Sequence, residues 1–281
     1  MSKNVNVLAD GLAFPEGPAF DPSGDLWCVE LQGGCLTRWR DDEIRRFETG
    51  GAPNGSTVDR TGRLWFCDSG EGFNAIRRLT PATGLVENVC DSIEGQPLNR
   101  PNDLAFDPAG NCLFTCPNYT PDQPPGYVCC ISPDGRASVI GRPFEFCNGL
   151  ALTDAGQTLV VAETQTNRLW KGTWRARDCR WLDPSPWGDV GQPGQPGGPD
   201  GMAFGADGLL YVAVYGSGQI RVVAPDGQVT RAYDLPGANP TNCAFDPSGK
   251  LGLVVTEAEK GLLLSLPDLG PGQPLFAAAW P

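Results

Sequence analysis

Six copies of one strand–turn–strand pattern run along this chain of 281 residues. Each copy has a turn-like start, a short apolar strand, a turn of the Asp-Pro-Ser-Gly type and a second apolar strand. The turns begin at Asp21, Asp59, Asp107, Thr153, Gly205 and Asp246. Successive turns are therefore 38, 48, 46, 52 and 41 residues apart, which is the length of a four-stranded propeller blade.

The repeat predicts an all-β fold: a six-bladed β-propeller of four-stranded antiparallel blades, with residues 1–281 as one domain. Two further strand-like runs, "CLTRWR" at 35–40 and "EIRRFET" at 43–49, complete the first blade. The outer strand of the sixth blade comes either from "VNVLAD" at 5–10 or from "PLFAAAW" at 274–280, and the sequence leaves both open.

The segment 183–201 is rich in Pro and Gly, and we expect a long loop there that leads into the fifth blade. Its part over 183–199 is either a tolerated surface insertion or a lid over the site that follows it.

The chain has no histidine, and this restricts the chemistry it can perform. A Ser-His-Asp triad, a Cys-His pair and an imidazole-bound zinc are excluded. Hydrolysis would need carboxylates, lysine, tyrosine or a metal held by oxygen atoms. The net charge of −12 agrees with a cationic ligand and argues against nucleic acid or an anionic membrane as partner.

The eleven cysteines include no C-x-x-C pair, and most stand in apolar strand-like runs. We therefore expect them to be buried thiols. The first residues lack a signal-peptide pattern, and no apolar run is long enough for a membrane helix. Both observations favour a cytoplasmic protein.

One column of the repeat carries oxygen donors that turn chemistry explains poorly. Five residues before each turn stand Glu16, Asn54, Asn102, Asn148, Asp200 and Thr241. Each begins a predicted innermost strand, so we expect these six residues, the donor ring, at one mouth of the central channel. Asn-Gly and Asp-Gly pairs also mark turns, but that explanation does not cover Glu16 or Asn102. Hard oxygen donors with two carboxylates favour Ca²⁺, Mg²⁺ or Mn²⁺.

Four short motifs resemble the senescence marker protein (regucalcin) and gluconolactonase family of six-bladed propellers. They are "EGP" at 16–18, "NRPND" at 99–103, "NGL" at 148–150 and "PDGM" at 199–202, and they follow the family's order over essentially the whole chain. Pro101 departs from the aromatic residue that the family often has there.

The resemblance implies that Glu16, Asn148 and Asp200 bind one divalent cation. It also implies that Arg100 and Asn102 face the substrate, with Asn102 near the metal. Asn54 belongs to the donor ring but to none of the motifs, and we expect it to line the pocket.

The resemblance implies a metal-dependent lactonase that opens sugar lactones to aldonic acids, with Asp200 activating water. Ca²⁺ is the expected ion, with Mn²⁺, Mg²⁺, Zn²⁺ and Fe²⁺ as alternatives. Another lactone, an ester or an organophosphate stays open as substrate, as does a non-enzymatic propeller with a structural metal. The expected partner is a small-molecule lactone, and the sequence leaves the oligomeric state open.

Overall fold

Short apolar runs joined by tight turns fold into six four-stranded antiparallel sheets. The computed structural model describes residues 4–70, 72–120, 122–153, 155–191 and 197–280. The sheets confirm the predicted six-bladed β-propeller. Within the described residues, helical structure is limited to three single 3-10 turns, Thr164–Thr166, Ala176–Asp178 and Pro267–Leu269.

The first three blades run in chain order from the inner to the outer strand. Blade one comprises Pro15–Phe20, Leu26–Glu30, Cys35–Arg40 and Glu43–Glu48. Blade two comprises Pro53–Val58, Leu64–Asp68, Ala75–Thr80 and Leu85–Cys90. Blade three comprises Leu104–Phe106, Cys112–Cys116, Gly126–Ile131 and Ala137–Phe144. A two-stranded ribbon, Ser92–Ile93 with Gln96–Pro97, joins blades two and three.

The last three blades follow the same order, except that the sixth takes its outer strand from the start of the chain. Blade four comprises Cys147–Leu152, Thr158–Glu163, Arg168–Arg175 and Arg180–Asp189. Blade five comprises Gly198–Phe204, Leu210–Tyr215, Gln219–Val223 and Val229–Asp234. Blade six comprises Pro240–Phe245, Leu253–Glu257, Leu262–Leu266 and Asn6–Ala9.

The apolar core lies between neighbouring blades. Side chains of a strand alternate between its two faces, so Leu210, Val212 and Val214 pack toward blade four. Tyr211 and Ala213 pack in the opposite direction, toward blade six. The six inner strands contact one another in turn and line a central cavity of about 120 Å³.

The repeated turns have a structural explanation. Their closing glycines adopt a positive φ that other residues avoid, as at Gly24 (85°) and Gly208 (77°). The turn aspartates also hold nearby side chains: Asp59 Oδ2 accepts a hydrogen bond from Trp65 Nε1 at 3.0 Å. No further role is needed for these residues.

The two segments that could have closed the sixth blade lie at different places in the structure. Asn6–Ala9 pairs antiparallel with Leu262–Leu266, so the start of the chain closes the propeller. The "PLFAAAW" segment instead crosses the mouth of the channel away from the donor ring, where Leu275 and Phe276 line the cavity. Trp280 packs on Trp65 with ring centroids 4.9 Å apart.

The predicted loop over 183–201 is wrong for most of its length. Residues 183–189 belong to the outer strand of blade four, and residues 198–201 begin the inner strand of blade five. Pro184 and Pro186 are tolerated because this strand is the edge of its sheet, where missing N–H groups remove few ladder hydrogen bonds. The possible lid falls partly on 192–196, which lie outside the described residues.

All eleven cysteines are free thiols, and all except Cys90 and Cys179 are buried. This confirms the expectation from their apolar neighbours. In the described part of the chain, no helix has the length and apolar character needed to span a membrane.

Candidate metal centre and active site

Carboxylates at the ends of the second strands position the segments that lead into the donor ring. In four blades, a buried acidic side chain accepts a hydrogen bond from a backbone N–H two or three residues before the ring residue. The pairs are Ala13 N to Glu30 at 2.8 Å, Ala52 N to Asp68 at 2.9 Å, Glu145 N to Glu163 at 2.8 Å, and Asn239 N to Glu257 at 2.9 Å. The entry to each of these inner strands is therefore held in place.

Hydrogen bonds between neighbouring blades also meet at the level of the donor ring. They connect an inner strand to the next blade around the channel. They are Ser56 Oγ to Gly17 O at 2.5 Å, Gly55 N to Asn102 O at 2.7 Å, Thr115 Oγ1 to Asn148 O at 2.8 Å, and Thr241 Oγ1 to Pro15 O at 2.8 Å. These contacts bring residues from different blades together around one axis.

The six members of the donor ring are all buried, but they are not equivalent. Thr241 donates to the carbonyl of Pro15 and shares a 2.8 Å contact with the hydroxyl of Thr256. Its oxygen is therefore engaged in the wall of the channel. Asn54 and Asn148 each have a buried side-chain carbonyl oxygen without a hydrogen-bond partner among the described residues.

The orientation of Asn148 is set by Thr164. Asn148 Nδ2 donates to Thr164 Oγ1 at 3.1 Å, and the Thr164 hydroxyl donates to the carbonyl oxygen of Pro199 at 2.7 Å. This bond fixes the amide with its nitrogen toward Thr164, and Oδ1 has no partner in the part of the chain that the structure describes. A buried acceptor in this state is costly, and a bound cation would satisfy it.

Three carboxylates are buried close enough to affect one another's charge. Burial, and next the charge of Asp103, raise the pKa of Glu16 to about 8. Burial raises the pKa of Asp103 to about 6. Burial followed by the charges of Glu16 and Asp103 raises the pKa of Asp200 well above its usual range. Such a group of carboxylates favours a cation over an empty site.

Asp103 and Asn242 are polar residues of the channel that the sequence analysis did not select. Asn242 Nδ2 donates to Asp103 Oδ2 at 3.4 Å, and both residues line the central cavity. They occupy the position immediately after the donor ring. The other four blades have glycine in this position, namely Gly17, Gly55, Gly149 and Gly201. A Cβ at Gly201 would lie 1.9 Å from Asn242 Cγ, and one at Gly55 would lie 2.2 Å from Asp103 Oδ1, so these two glycines make room for the two side chains. Asp103 and Asn242 stand in an aligned column that is otherwise glycine, and this difference is the sequence signal that could have identified both residues.

At the mouth of the channel, Arg100 is exposed, and its guanidinium lies over the ring of Tyr119, 3.9 Å from the centroid. Tyr119 also accepts a long hydrogen bond of 3.5 Å from Asn102 Nδ2 and packs edge-on against Phe146. Arg100 and Phe146 have positive φ angles of 47° and 64°. Such strain in non-glycine residues is often found at functional sites. Tyr119 was not among the residues predicted from the sequence.

The donor chemistry fits a hard divalent cation. Within the ranges that the structure describes, no three His, Cys, Asp or Glu side chains are grouped so as to hold a metal by themselves. The predicted set of Glu16, Asn148 and Asp200 has only two carboxylates and requires the amide oxygen as a third ligand. The unpartnered Oδ1 of Asn148 meets that requirement. The metal and substrate roles of these residues, and of Arg100, Asn102 and Asn54, stay predictions.

The fold and this centre define a six-bladed propeller with an acidic oxygen-donor site at one mouth of its channel. Residues 14–259 match the SMP-30/gluconolactonase/LRE-like family. The chain belongs to this family.

The chain is similar to proteins that are named as hydrolases. The chain is 31% identical to diisopropyl-fluorophosphatase from Loligo vulgaris, covering 87% of this chain and 85% of the relative. It is 27% identical to gluconolactonase from Zymomonas mobilis, covering 89% of this chain and 78% of the relative. The solved structure of a gluconolactonase from Xanthomonas campestris superposes with a TM-score of 0.81 at 27% identity, covering 94% and 90% of the two chains.

Proposed function

We propose that this protein is a divalent-metal-dependent hydrolase that opens a lactone ring, with a sugar lactone of the gluconolactone type as substrate. The observation that carries the proposal is the buried carboxylate group of Glu16, Asp103 and Asp200 beside the unpartnered amide oxygen of Asn148. The gluconolactonase relatives support the choice of substrate.

Glu16, Asn148 and Asp200 would hold the cation, with Ca²⁺ as the expected ion. When bound, a divalent cation polarises a carbonyl group and stabilises the negative charge that develops on its oxygen. Asp200 then acts as the base. Its carboxylate accepts a proton from water while the water oxygen attacks the lactone carbonyl carbon. Asp200 then returns this proton to the ring oxygen as the ring C–O bond breaks, which gives the open hydroxy acid and restores the Asp200 carboxylate.

The surroundings of Asp200 are suited to this task. A cation lowers the basicity of a nearby carboxylate, whereas burial and the charges of Glu16 and Asp103 raise the pKa of Asp200. The two effects oppose each other, so burial and the neighbouring carboxylates preserve part of the basicity that a cation removes.

Arg100 and Asn102 would orient the substrate. The ring of Tyr119 supports the guanidinium of Arg100, and its hydroxyl contacts the amide of Asn102. Both side chains carry N–H donors that suit the hydroxyl and ring oxygens of a lactone. Asn54, whose buried Oδ1 has no described partner, would line the same pocket.

A pH-indicator assay tests the proposal. The protein is incubated with D-glucono-1,5-lactone and aliphatic lactones, in EDTA and then with added Ca²⁺, Mn²⁺, Mg²⁺, Zn²⁺ or Fe²⁺. We expect acidification above the spontaneous rate, lost in EDTA and restored by a metal. Metal-dependent stabilisation without hydrolysis of any lactone or ester would contradict the proposal and favour a structural metal.

Hydrolysis of an organophosphate is a second candidate function, because the fluorophosphatase relative is 31% identical over most of both chains. The same assay with a phosphotriester separates the two candidates. A preference for the phosphotriester over every lactone would assign the organophosphatase activity.

A further inference from the structure

The strand pairing at the mouth of the channel repeats from blade to blade. Within a blade, the residue two positions before the donor-ring residue lies opposite a residue at the end of the second strand. These two opposite residues form one rung of the strand ladder. In blade four this rung joins Phe146 and Thr164, with Thr164 N donating to Phe146 O at 3.0 Å. In blade five the same rung joins Gly198 and Tyr215. Tyr215 therefore occupies the position that Thr164 has in the preceding blade.

A side chain at this rung reaches the donor ring. Thr164 shows this directly, because its hydroxyl accepts from Asn148 Nδ2 and donates to Pro199 O. Along the second strand of blade five, Tyr211 and Ala213 face blade six, and alternation gives Tyr215 the same side.

The electrostatic surroundings of Tyr215 agree with this placement. Burial raises the pKa of Tyr215, and the charges of Asp200, Glu16 and Glu257 raise it further, in that order. The half-buried phenol is therefore neutral, lies near both predicted carboxylate ligands and retains a proton to donate.

Tyr215 differs from the residues at the same rung in the other blades. Those residues are Leu31, Ser69, Pro117, Thr164 and Ala258, and none of them carries a phenol. The hydroxyl groups of Tyr119, Tyr127 and Tyr211 have hydrogen-bond partners. The hydroxyl of Tyr215 has none among the residues that the structure describes. A polar group at the mouth of the site is thus left for a ligand.

We propose that Tyr215 contacts the substrate and donates a hydrogen bond from its phenol to a substrate oxygen on the Asp200 side of the centre. The inference rests on the proposed hydrolase function and adds a residue that none of the four sequence motifs contains. The group recognised is an oxygen acceptor, either the lactone carbonyl or a ring hydroxyl.

The test compares Tyr215→Phe with Tyr211→Phe in the full-length, Ca²⁺-loaded protein. Both variants remove one phenol hydroxyl from the same strand, and Tyr211 donates to Asp207 in the hairpin turn at its other end, 3.0 Å away. We expect Tyr215→Phe to lower kcat/KM for D-glucono-1,5-lactone about tenfold, the effect of one hydrogen bond. Tyr211→Phe keeps the wild-type kcat/KM.

Three further measurements, of Ca²⁺ affinity, Tm and gluconate binding, separate contact with the substrate from a structural effect. The Ca²⁺ affinity and the Tm of Tyr215→Phe stay at wild-type values, while KM rises or kcat falls. Binding of gluconate to the Ca²⁺-loaded protein, measured by calorimetry without turnover, weakens about tenfold as well.

The outcomes distinguish this inference from the proposed function. If the wild type hydrolyses the lactone and Tyr215→Phe has the same kcat/KM, the role of Tyr215 is overturned and the proposed lactonase function stands. A fall in activity that parallels a loss of Ca²⁺ affinity also overturns it. Absence of turnover in the wild type overturns the proposed function. The role of Tyr215 is then decided by gluconate binding alone. Equal binding by the wild type and Tyr215→Phe, or no binding by either protein, overturns that role.

Discussion

At the scale of single residues, two Asp-Gly pairs seven residues apart have different fates. Asp207 lies in a hairpin turn, where its carboxylate accepts from Leu209 N at 3.0 Å and from the Tyr211 hydroxyl at 3.0 Å. Asp200 lies at the start of an inner strand, is buried, and neighbours Glu16 and Asp103. The same Asp-Gly dipeptide therefore gives a turn residue in one case and a buried carboxylate of the channel in the other.

The different surroundings of the two aspartates predict different effects of the same substitution. Asp200→Asn removes the proposed base, and we expect kcat to fall about 100- to 10,000-fold. Because Glu16 and Asn148 remain, Ca²⁺ should still raise the Tm, although less than in the wild type. The measurements are the lactone assay and thermal unfolding with and without Ca²⁺.

Asp207→Asn is the matched control for this prediction, since it changes the same residue type in the turn and should leave kcat within about twofold of the wild type. Wild-type activity in Asp200→Asn would refute the assignment of the base.

At the scale of secondary-structure elements, closure of the propeller depends on one short strand. Asn6–Ala9 covers the edge of Leu262–Leu266 in blade six. Leu8 and Ala9 pack against the cluster between blades six and one, and Val5 packs against the cluster between blades five and six. The strand therefore joins the first and last blades and shields an exposed edge, which would otherwise be a site for association.

Deletion of residues 1–9 tests the contribution of this strand. We expect the Tm to fall by about 5–10 °C, since ladder hydrogen bonds and apolar burial are lost together. We also expect concentration-dependent oligomers in size-exclusion chromatography because the third strand of blade six becomes an edge. Deletion of residues 1–4, which leaves the strand intact, is the control, and an equal Tm for both deletions would contradict the prediction.

The position of a strand within its sheet explains why the loop predicted over 183–201 is wrong. The segment that contains Pro184 and Pro186 has the composition of a loop, yet it forms part of the outer strand Arg180–Asp189. Composition alone does not reveal that a strand will be an edge strand, and this position is what makes proline acceptable. Whether a strand lies at the edge of its sheet is decided by its pairing with the neighbouring strand.

At the scale of the whole molecule, the buried carboxylates couple stability to pH and to metal. The folded protein raises the pKa of Glu16 from 4.5 to about 8 and that of Asp103 from 3.8 to about 6. A carboxyl group with a raised pKa binds its proton more tightly in the folded state than in the unfolded state. Its stabilising effect is full below the unfolded pKa and is lost as the pH rises through the folded pKa.

We therefore expect the metal-free protein to lose stability between pH 5 and pH 8. In EDTA the Tm should fall by roughly 5 °C over this range, and Ca²⁺ should remove most of the fall because a cation stabilises the ionised carboxylates. The measurement is thermal unfolding at several pH values with and without Ca²⁺. Glu16→Gln should show a shallower dependence on pH, and a Tm in EDTA that is flat or rises from pH 5 to pH 8 would disprove the coupling.

The sequence by itself determined the six repeats, the turns and the column of oxygen donors. These features depend on local turn chemistry and on strand periodicity, which are written into neighbouring residues. Glu16, Asn148 and Asp200 could be selected because the aligned repeats give each a position relative to a turn. The side chains that surround these three residues in the folded protein could not be predicted from the aligned repeats.

Only the tertiary structure decided which strand closes the propeller and which side chains share the channel. Asn242 Nδ2 meets Asp103 Oδ2 at 3.4 Å although the two residues are 139 positions apart. Tyr215 pairs with Gly198, two residues before Asp200, because the two strands lie side by side in blade five. Contacts between distant blades depend on the closure of the whole ring, and no local pattern in the sequence records them.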